Sequence, residues 1–231
     1  MPAIHADGPQ PFDVNVRLQI ENSLTSKFMK GVLQDEAARI WRPYGVRLDW
    51  LEVEAAEIPD RFSMDAIVEP RIDGLKQPDH GVVLGLATVK LDAPSIRPIR
   101  LSLEATERVL TLRRNSGALA MKMMHDRVLA RALGRVLAHE IGHVLLGAPY
   151  HDDAGLMRAT YVPDELADPD RAPFRLTCTG VSRLRSRVRK LTELRFVGRQ
   201  LWTGPEQVEG SFGIERDASD RVACIPGRMA R

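Results

Sequence analysis

Residues 139–151 read HEIGHVLLGAPYH, and this stretch decides most of what the sequence predicts. His139 and His143 are four positions apart, which in a helix places their side chains about 40° apart around the axis and about 6 Å apart along it. Both imidazoles can therefore reach one tetrahedral Zn²⁺. Glu140 lies beside them and can act as a base toward a water molecule that the metal activates. With His151 as a third ligand, one coordination position stays open, which is typical of a catalytic zinc site.

The residues around this stretch predict a helix that ends in a chain reversal. A helix is expected from about Ser116 to Leu146, because apolar residues recur there at helical spacing. These residues are Leu129, Leu133, Leu137, Ile141 and Val144. Gly147 supplies a left-handed cap, and Pro149 prevents the helix from resuming. The chain must then turn back, and this turn can bring His151 onto the metal.

Taken together, these motifs and the nearby Gly155-Leu156-Met157 resemble the zinc site and Met-turn of the metzincin metallopeptidases. The family pattern is H-E-x-x-H-x-x-G-x-x-H, and this chain has one extra residue before the glycine and another before the last histidine. By position, the resemblance implies that His139, His143 and His151 are the zinc ligands and that Glu140 is the general base. It also implies that Gly147 is the turn glycine and that Met157 lies beneath the metal.

The identity of the third ligand stays open at the level of sequence. Carboxylates also bind zinc, so Asp152 and Asp153 compete with His151 for this role. Glu165, further along the chain, would instead give two histidines and one glutamate, as in gluzincins. The tyrosines near the motif, Tyr150 and Tyr161, are expected to pack against the core.

The order of elements predicts an α+β fold with one mixed, twisted sheet of about four to five strands packed on the active-site helix. Strands are expected at 12–20, 46–51, 65–69, 82–91 and 99–103, a first helix at about 25–41, and an amphipathic helix at about 178–196. Residues between Met157 and that last helix are expected to be irregular. The resemblance implies a zincin-like arrangement with a smaller C-terminal helical subdomain. It also makes residues 82–88 the candidate edge strand, where an extended peptide would pair.

Domain organisation follows from composition. The chain has 231 residues, 44% of them hydrophobic, which is enough for one sizeable globular domain. We assign residues 1–11 to a flexible N-terminal segment, 12–200 to a zincin-like metallopeptidase domain and 201–231 to an irregular tail. The sequence contains no run of about 18 apolar residues, which a membrane span would need, and its first residues contain no hydrophobic signal segment. The compartment stays open, as do the oligomeric state and the pairing of Cys178 with Cys224.

The net charge of +2 hides a basic C-terminal part that starts near Arg171. Its densest run, residues 183–190, alternates with apolar residues at helical spacing, which predicts the solvated face of an amphipathic helix. Nucleic acid is therefore not an expected partner. The sequence predicts zinc-dependent hydrolysis of a peptide or protein substrate, with one catalytic Zn²⁺ as the cofactor. The alternatives are a non-catalytic zinc-binding scaffold of the same fold and a basic nucleic-acid-binding module.

Overall fold

The described residues form an α+β fold whose five strands make one mixed sheet. The computed structural model describes residues 11–21, 27–52, 62–72, 82–87, 98–111, 120–147 and 150–200. In chain order the elements are β1 (Phe12–Ile20), α1 (Lys27–Trp41), β2 (Val46–Leu51), β3 (Phe62–Glu69), β4 (Gly85–Leu86), β5 (Ile99–Ser102), α2 (Leu103–Thr111), α3 (Ala120–Leu146), α4 (Pro163–Ala167) and α5 (Cys178–Gln200). Single 3-10 turns lie at Arg42–Tyr44, Gly155–Met157 and Ala172–Phe174.

The sheet has the order β2-β1-β3-β5-β4, and only β4 runs antiparallel to its neighbour. The strict alternation along β1 gives the sheet two different faces. Val14, Val16 and Leu18 are fully buried on one face. On the other face Arg17 donates to Asp65 at 2.9 Å on the adjacent β3. The helices therefore pack against the apolar face of the sheet, and the opposite face carries polar side chains that pair across neighbouring strands.

Helix α3 is the central element of the core. Its side chains are buried almost without interruption from Leu129 to Leu146. The indole of Trp41, at the end of α1, donates to the Ala138 carbonyl at 3.1 Å. A Cβ on Gly134 would lie 2.7 Å from the Leu33 carbonyl, so a glycine is required where α1 and α3 cross. This close crossing fixes the position of the histidine-bearing end of α3.

Most strand and helix bounds agree with the sequence prediction. The bounds of β1 and β2 are those predicted, whereas β3 begins three residues earlier, at Phe62. In the predicted strand 82–91, the described part contains only Gly85–Leu86 as β4. β4 lies at the end of the sheet order, as expected of an edge strand. The predicted first and last segments, residues 1–10 and 201–231, lie outside the described residues.

Two predictions about the helices are wrong. Leu103 is not the end of a strand but the first residue of α2, which was not predicted. Its start is defined by the Ser102 hydroxyl, which accepts from the Ala105 N–H at 3.2 Å in the manner of an N-cap. The segment after Met157 is not wholly irregular, because Pro163 occupies the first turn of α4 and presets its backbone angle. Among the described helices, none is both long and apolar enough to cross a bilayer.

Candidate metal centre

Three imidazoles converge at the C-terminal end of α3. One ligand nitrogen from each of His139, His143 and His151 lies within 4.8 Å of the other two. The ring centroids of His139 and His143 are 4.7 Å apart, and those of His143 and His151 are 4.8 Å apart. His139 and His143 are buried, whereas His151 is exposed. This cluster is close enough to bind one metal ion.

The donor set fits a zinc ion with one small adjustment. Nitrogens bound at about 2.0–2.1 Å around a tetrahedral zinc are roughly 3.4 Å apart. The ligand nitrogens in this structure lie within 4.8 Å of one another, so the widest pair must close by up to about 1.4 Å on binding. His151 is the exposed member and lies beyond the helix, so its side chain is the one with room to make this movement.

The glycine turn that brings His151 back is a left-handed helix end. Gly147 has φ +85°, the conformation that the sequence predicted for a C-cap. The guanidinium of Arg183, on α5, donates to the Leu146 carbonyl at 2.7 Å and lies 4.7 Å above the ring of Tyr150. The end of α3 is therefore capped by a side chain from a distant helix, which satisfies one of its free carbonyl groups.

The side chain of His139 is oriented by its Nδ1 atom. This atom lies 2.7 Å from the Leu156 carbonyl and 2.7 Å from the hydroxyl of Tyr161. The Tyr161 hydroxyl also donates to the same Leu156 carbonyl. A carbonyl cannot donate, so Nδ1 must carry the proton, and the lone pair is on Nε2. Such a partner behind a ligand histidine is a common device for orienting a metal-bound imidazole.

Burial keeps both helical histidines in the form that binds metal. Desolvation is the main reason that the pKa of His139 and of His143 is lowered to about 4. Repulsion between the imidazolium forms lowers them further. The rings are therefore neutral at physiological pH, and a neutral imidazole is the state that coordinates a metal. Nδ1 of His143 is buried and has no hydrogen-bond partner among the described protein groups.

Glu140 lies under the edge strand of the sheet. It is 6% exposed, and burial raises its pKa to about 8 in the metal-free protein, opposed by a hydrogen bond from the backbone of Ala87. A Cβ on Gly85 would come within 2.8 Å of Glu140 Oε1 and within 2.8 Å of Val136 Cγ1. The strand can pass over the carboxylate only because residue 85 has no side chain.

A cleft of about 530 Å³ contains the three histidines and Glu140. The strand segment 82–87 contributes to its lining, as do Val109 and Val136 from α2 and α3. Ala159, Thr160, Tyr161 and Pro163 from the segment after α3 also line it. Among these lining residues, the histidines and Glu140 are the only acidic or basic side chains. The cleft therefore combines an apolar lining with one carboxylate at the candidate metal position.

Met157 packs directly behind the helical ligands. Its side chain is 1% exposed. Its Sδ lies against Gly142, the residue before His143, so closely that a Cβ at position 142 would collide with it. The 3-10 turn Gly155–Met157 that presents it begins at a glycine with φ +76°. The sequence-predicted methionine thus contacts the backbone of α3 beneath the cluster.

The competing carboxylates are placed differently. The Asp152 carboxylate accepts hydrogen bonds from the Tyr150 hydroxyl at 2.6 Å and from the Thr177 hydroxyl. Glu165 forms an ion pair with Arg158 at 2.6 Å. Neither of these, nor Asp153, is part of the cluster of ligand atoms in the described residues. The geometry therefore favours His151 over the carboxylates as the third ligand.

One face of α3 holds the segment that follows it. We call residues 150–177 the post-helix segment. Arg131, Arg135 and His139 recur at four-residue spacing, and each donates to backbone carbonyls of this segment. Arg131 donates to Ala167 at 2.7 Å, Arg135 to Asp170 at 2.8 Å and also to Glu165, and His139 to Leu156 at 2.7 Å. The face of α3 that carries the helical candidate ligands thus also holds the post-helix segment, which carries the third candidate ligand, His151.

Arg135 is part of a buried ion network. Its guanidinium is 0% exposed and donates to Glu36 of α1 at 2.9 Å. Arg171, from the post-helix segment, pairs with the other oxygen of Glu36 at 2.6 Å. Burial lowers the pKa of Arg135, and the hydrogen bond and charge of Glu36 oppose that shift. Arg135 also lies 4.3 Å over the ring of Phe174. The network ties α1, α3 and the post-helix segment together beside the cluster.

Sequence reasoning missed several of these residues. Glu36, Arg135 and Gly85 carry no motif, although an arginine within the most apolar part of a helix is a sign of a buried partner. Tyr161 packs against the core as predicted, but the contact of its hydroxyl with the Nδ1 atom of His139 was not predicted. The spacing Arg131-x3-Arg135-x3-His139-x3-His143 was the available signal for a polar face.

Helix α5 has the two faces that the sequence predicted. Val181 and Leu184 are buried, whereas Arg185, Arg189 and Lys190 are exposed. Arg183 departs from the prediction, because it caps α3 instead of serving only the solvated face. Cys178, the first residue of α5, is disulfide-bonded, and Cys224 lies outside the described residues.

Comparison with known proteins does not identify the site, which is therefore described by its geometry. No protein-family model matches the chain, and a search of curated proteins finds no match either. The fold and the site define an α+β protein with a three-histidine cluster that is close enough to bind a metal ion.

Proposed function

We propose that the chain is a zinc-dependent peptidase with a zincin-like fold. The observation that carries the proposal is the position of Glu140. This buried carboxylate lies beside three clustered imidazoles, in a cleft bordered by the edge strand of the sheet. A structural metal site gains nothing from an adjacent base, whereas hydrolysis needs one. The resemblance of the motifs to metzincins is consistent with this proposal.

His139, His143 and His151 would hold the ion, and each offers one nitrogen to it. A zinc ion bound there would act as a Lewis acid, lowering the pKa of water and polarising the scissile carbonyl. Glu140 takes the proton from the attacking water and delivers it to the leaving amine. The raised pKa of Glu140 in the metal-free protein follows from burial, and a nearby cation favours its ionised form, which is the form that accepts the proton.

The edge strand supplies the means of holding an extended substrate. β4 pairs with β5 on one side, through Gly85 opposite Leu101 and Leu86 opposite Arg100. β4 is the last strand in the order of the described sheet, and residues 82–87 line the cleft. A peptide that adds to this edge would lie beside the candidate metal position, because residues 82–87 line the same cleft as Glu140 and the three histidines.

The cleft lining favours substrates with apolar side chains near the scissile bond. Val109, Val136 and Leu86 are among its walls, and Glu140 is its single carboxylate among the described lining residues. Burying an unpaired charge there would be costly. In a series of otherwise identical peptides, those with leucine beside the cleaved bond should be cut on the order of 10- to 200-fold faster than those with aspartate or arginine. Equal rates across the series would contradict this preference.

The central test compares Glu140→Gln with the wild type and with Glu193→Gln, an exposed carboxylate on α5. We expect Glu140→Gln to lower peptide hydrolysis by about 10²–10⁴-fold while the zinc content of the purified protein is unchanged. Glu193→Gln should have wild-type activity. Hydrolysis retained by Glu140→Gln would contradict the mechanism. A wild type that binds zinc but cuts no peptide would favour a non-catalytic zinc-binding scaffold.

A further inference from the structure

Tyr161 is the best-placed residue behind the cluster that no motif assigns. Its hydroxyl lies 2.7 Å from His139 Nδ1, and its ring stands nearly perpendicular to that imidazole, at 83° with 5.6 Å between centroids. Because Nδ1 faces Tyr161, this hydroxyl lies on the side of the ring away from Nε2. Tyr161 is therefore placed to orient a ligand and not to be one.

The hydrogen bonds around Tyr161 are consistent with only one arrangement of protons. Tyr161 donates its proton to the Leu156 carbonyl, and its oxygen then faces the Nδ1–H of His139 with a lone pair. The Nδ1–H also points to the Leu156 carbonyl at 2.7 Å, so it is shared between two acceptors. If the proton were on Nε2 instead, Nδ1 and the carbonyl would face each other with lone pairs at that distance. Tyr161 thus stabilises the tautomer that leaves Nε2 free.

The ring of Tyr161 is itself held in place. It stacks on Phe174 with centroids 5.4 Å apart and an interplanar angle of 28°. Arg135 lies over the ring of Phe174 at 4.3 Å, and Arg158 lies 5.3 Å from the ring of Tyr161. Arg135 is held by the buried Glu36, so Phe174 packs against a guanidinium whose position the ion pair fixes. The hydroxyl position is therefore set by the fold and not by the local chain alone.

We propose that Tyr161 is a positioning residue, which presets the Nδ1–H tautomer and the ring orientation of His139 and thereby raises the affinity of the site for its metal. This inference rests on the metal site of the proposed function. Losing such an outer partner typically lowers metal affinity by 10- to 100-fold. The effect acts on binding and does not require that the protein be catalytic.

The test compares Tyr161→Phe with Tyr44→Phe. Tyr44 is a suitable control because its hydroxyl accepts from the Leu176 backbone N–H at 2.7 Å, yet it contacts none of the three histidines in the described structure. Zinc affinity is measured by competition with a chelator of known affinity, and the thermal midpoint is measured with and without zinc. We expect Tyr161→Phe to bind zinc 10- to 100-fold more weakly, and Tyr44→Phe to lose stability with unchanged affinity.

The outcomes separate this inference from the proposed function. Equal zinc affinity in Tyr161→Phe and the wild type overturns the inference and leaves the peptidase proposal untouched. A wild type that binds zinc tightly but hydrolyses nothing overturns the peptidase proposal, and the affinity comparison still stands. If Tyr161→Phe folds poorly, the rise in thermal midpoint that zinc produces still reports affinity for the native state. A rise as large as in the wild type overturns the inference.

Discussion

The two parts of the candidate site, the end of α3 and the post-helix segment, are held by different forces. On α3 the two ligands follow from helix periodicity, and the surrounding helix is buried almost completely. The post-helix segment contains little regular structure, and the carbonyls of Leu156, Ala167 and Asp170 accept hydrogen bonds from α3 side chains. The first part is thus rigid by local geometry and the second by tertiary contacts. The position of the third ligand therefore depends on residues that are far from it in sequence.

The largest effect is expected where the two parts are tied together. Glu36→Leu leaves the guanidinium of Arg135 buried without its carboxylate, which should lower the free energy of unfolding by about 3–5 kcal/mol. Urea unfolding of the metal-free protein measures this loss. The control is Asp35→Ala, one position earlier, where an exposed pair with Arg39 is removed and no measurable change is expected. Equal stability of the two variants would show that the network does not hold the segment.

Removing single histidines tests the two parts separately. Alanine at His139, His143 or His151 should weaken zinc binding by more than about 100-fold, beyond the loss of an outer partner. His125→Ala, on the same helix but not in the cluster, should bind zinc normally. His139→Ala should also destabilise the metal-free protein, because the link to the Leu156 carbonyl is lost, whereas the exposed His151 makes no such link.

Equilibrium zinc binding and unfolding of the same histidine variants give both quantities. Tight binding by His151→Ala combined with weak binding by Asp153→Ala would move the third ligand to the carboxylate. The contrast between α3 and the post-helix segment would then still hold, with Asp153 instead of His151 as the third ligand.

Gly85→Ala tests how closely the edge strand is fitted to α3. A Cβ at this position would lie 2.8 Å from Glu140 Oε1, so either the carboxylate or the strand must move. We expect kcat/KM for a peptide to fall by roughly 100-fold, as small displacements of a reacting group do, while zinc content stays the same. Gly31→Ala is the matched control, since a Cβ there meets nothing within 4 Å. Wild-type activity in Gly85→Ala would show that the strand yields easily.

The smallest effect is expected at the boundary between the two parts. Gly147→Ala forces an alanine into φ +85°, which should cost about 1–2 kcal/mol of stability. Gly31→Ala, in the helix α1, should instead stabilise by about 0.5–1 kcal/mol. Thermal unfolding of both variants checks the opposite signs. A Gly147→Ala variant as stable as the wild type would mean that the turn after α3 can relax to another conformation.

Regular elements were the predictable part of the fold. β1 alternates between apolar and polar residues throughout, β2 alternates as far as Trp50, and the predicted bounds of both strands agree with the structure. Helix α2 was missed because its nine residues follow a strand without a break, and only the Ser102 cap marks the boundary. α4 was missed because prolines at 163, 169 and 173 suggest irregular chain, although a proline is well tolerated in the first turn of a helix.

At the site, local sequence patterns are enough to predict the two helical histidines, Glu140 and the left-handed turn at Gly147. Each of these depends on helix geometry or on one backbone angle, and both are local properties. The packing of the folded chain brings His151 to the other imidazoles, Tyr161 to His139 and Glu36 to Arg135. These contacts join residues 8 to 99 positions apart, and their geometry depends on how the helices, sheet and post-helix segment pack, which no local pattern records.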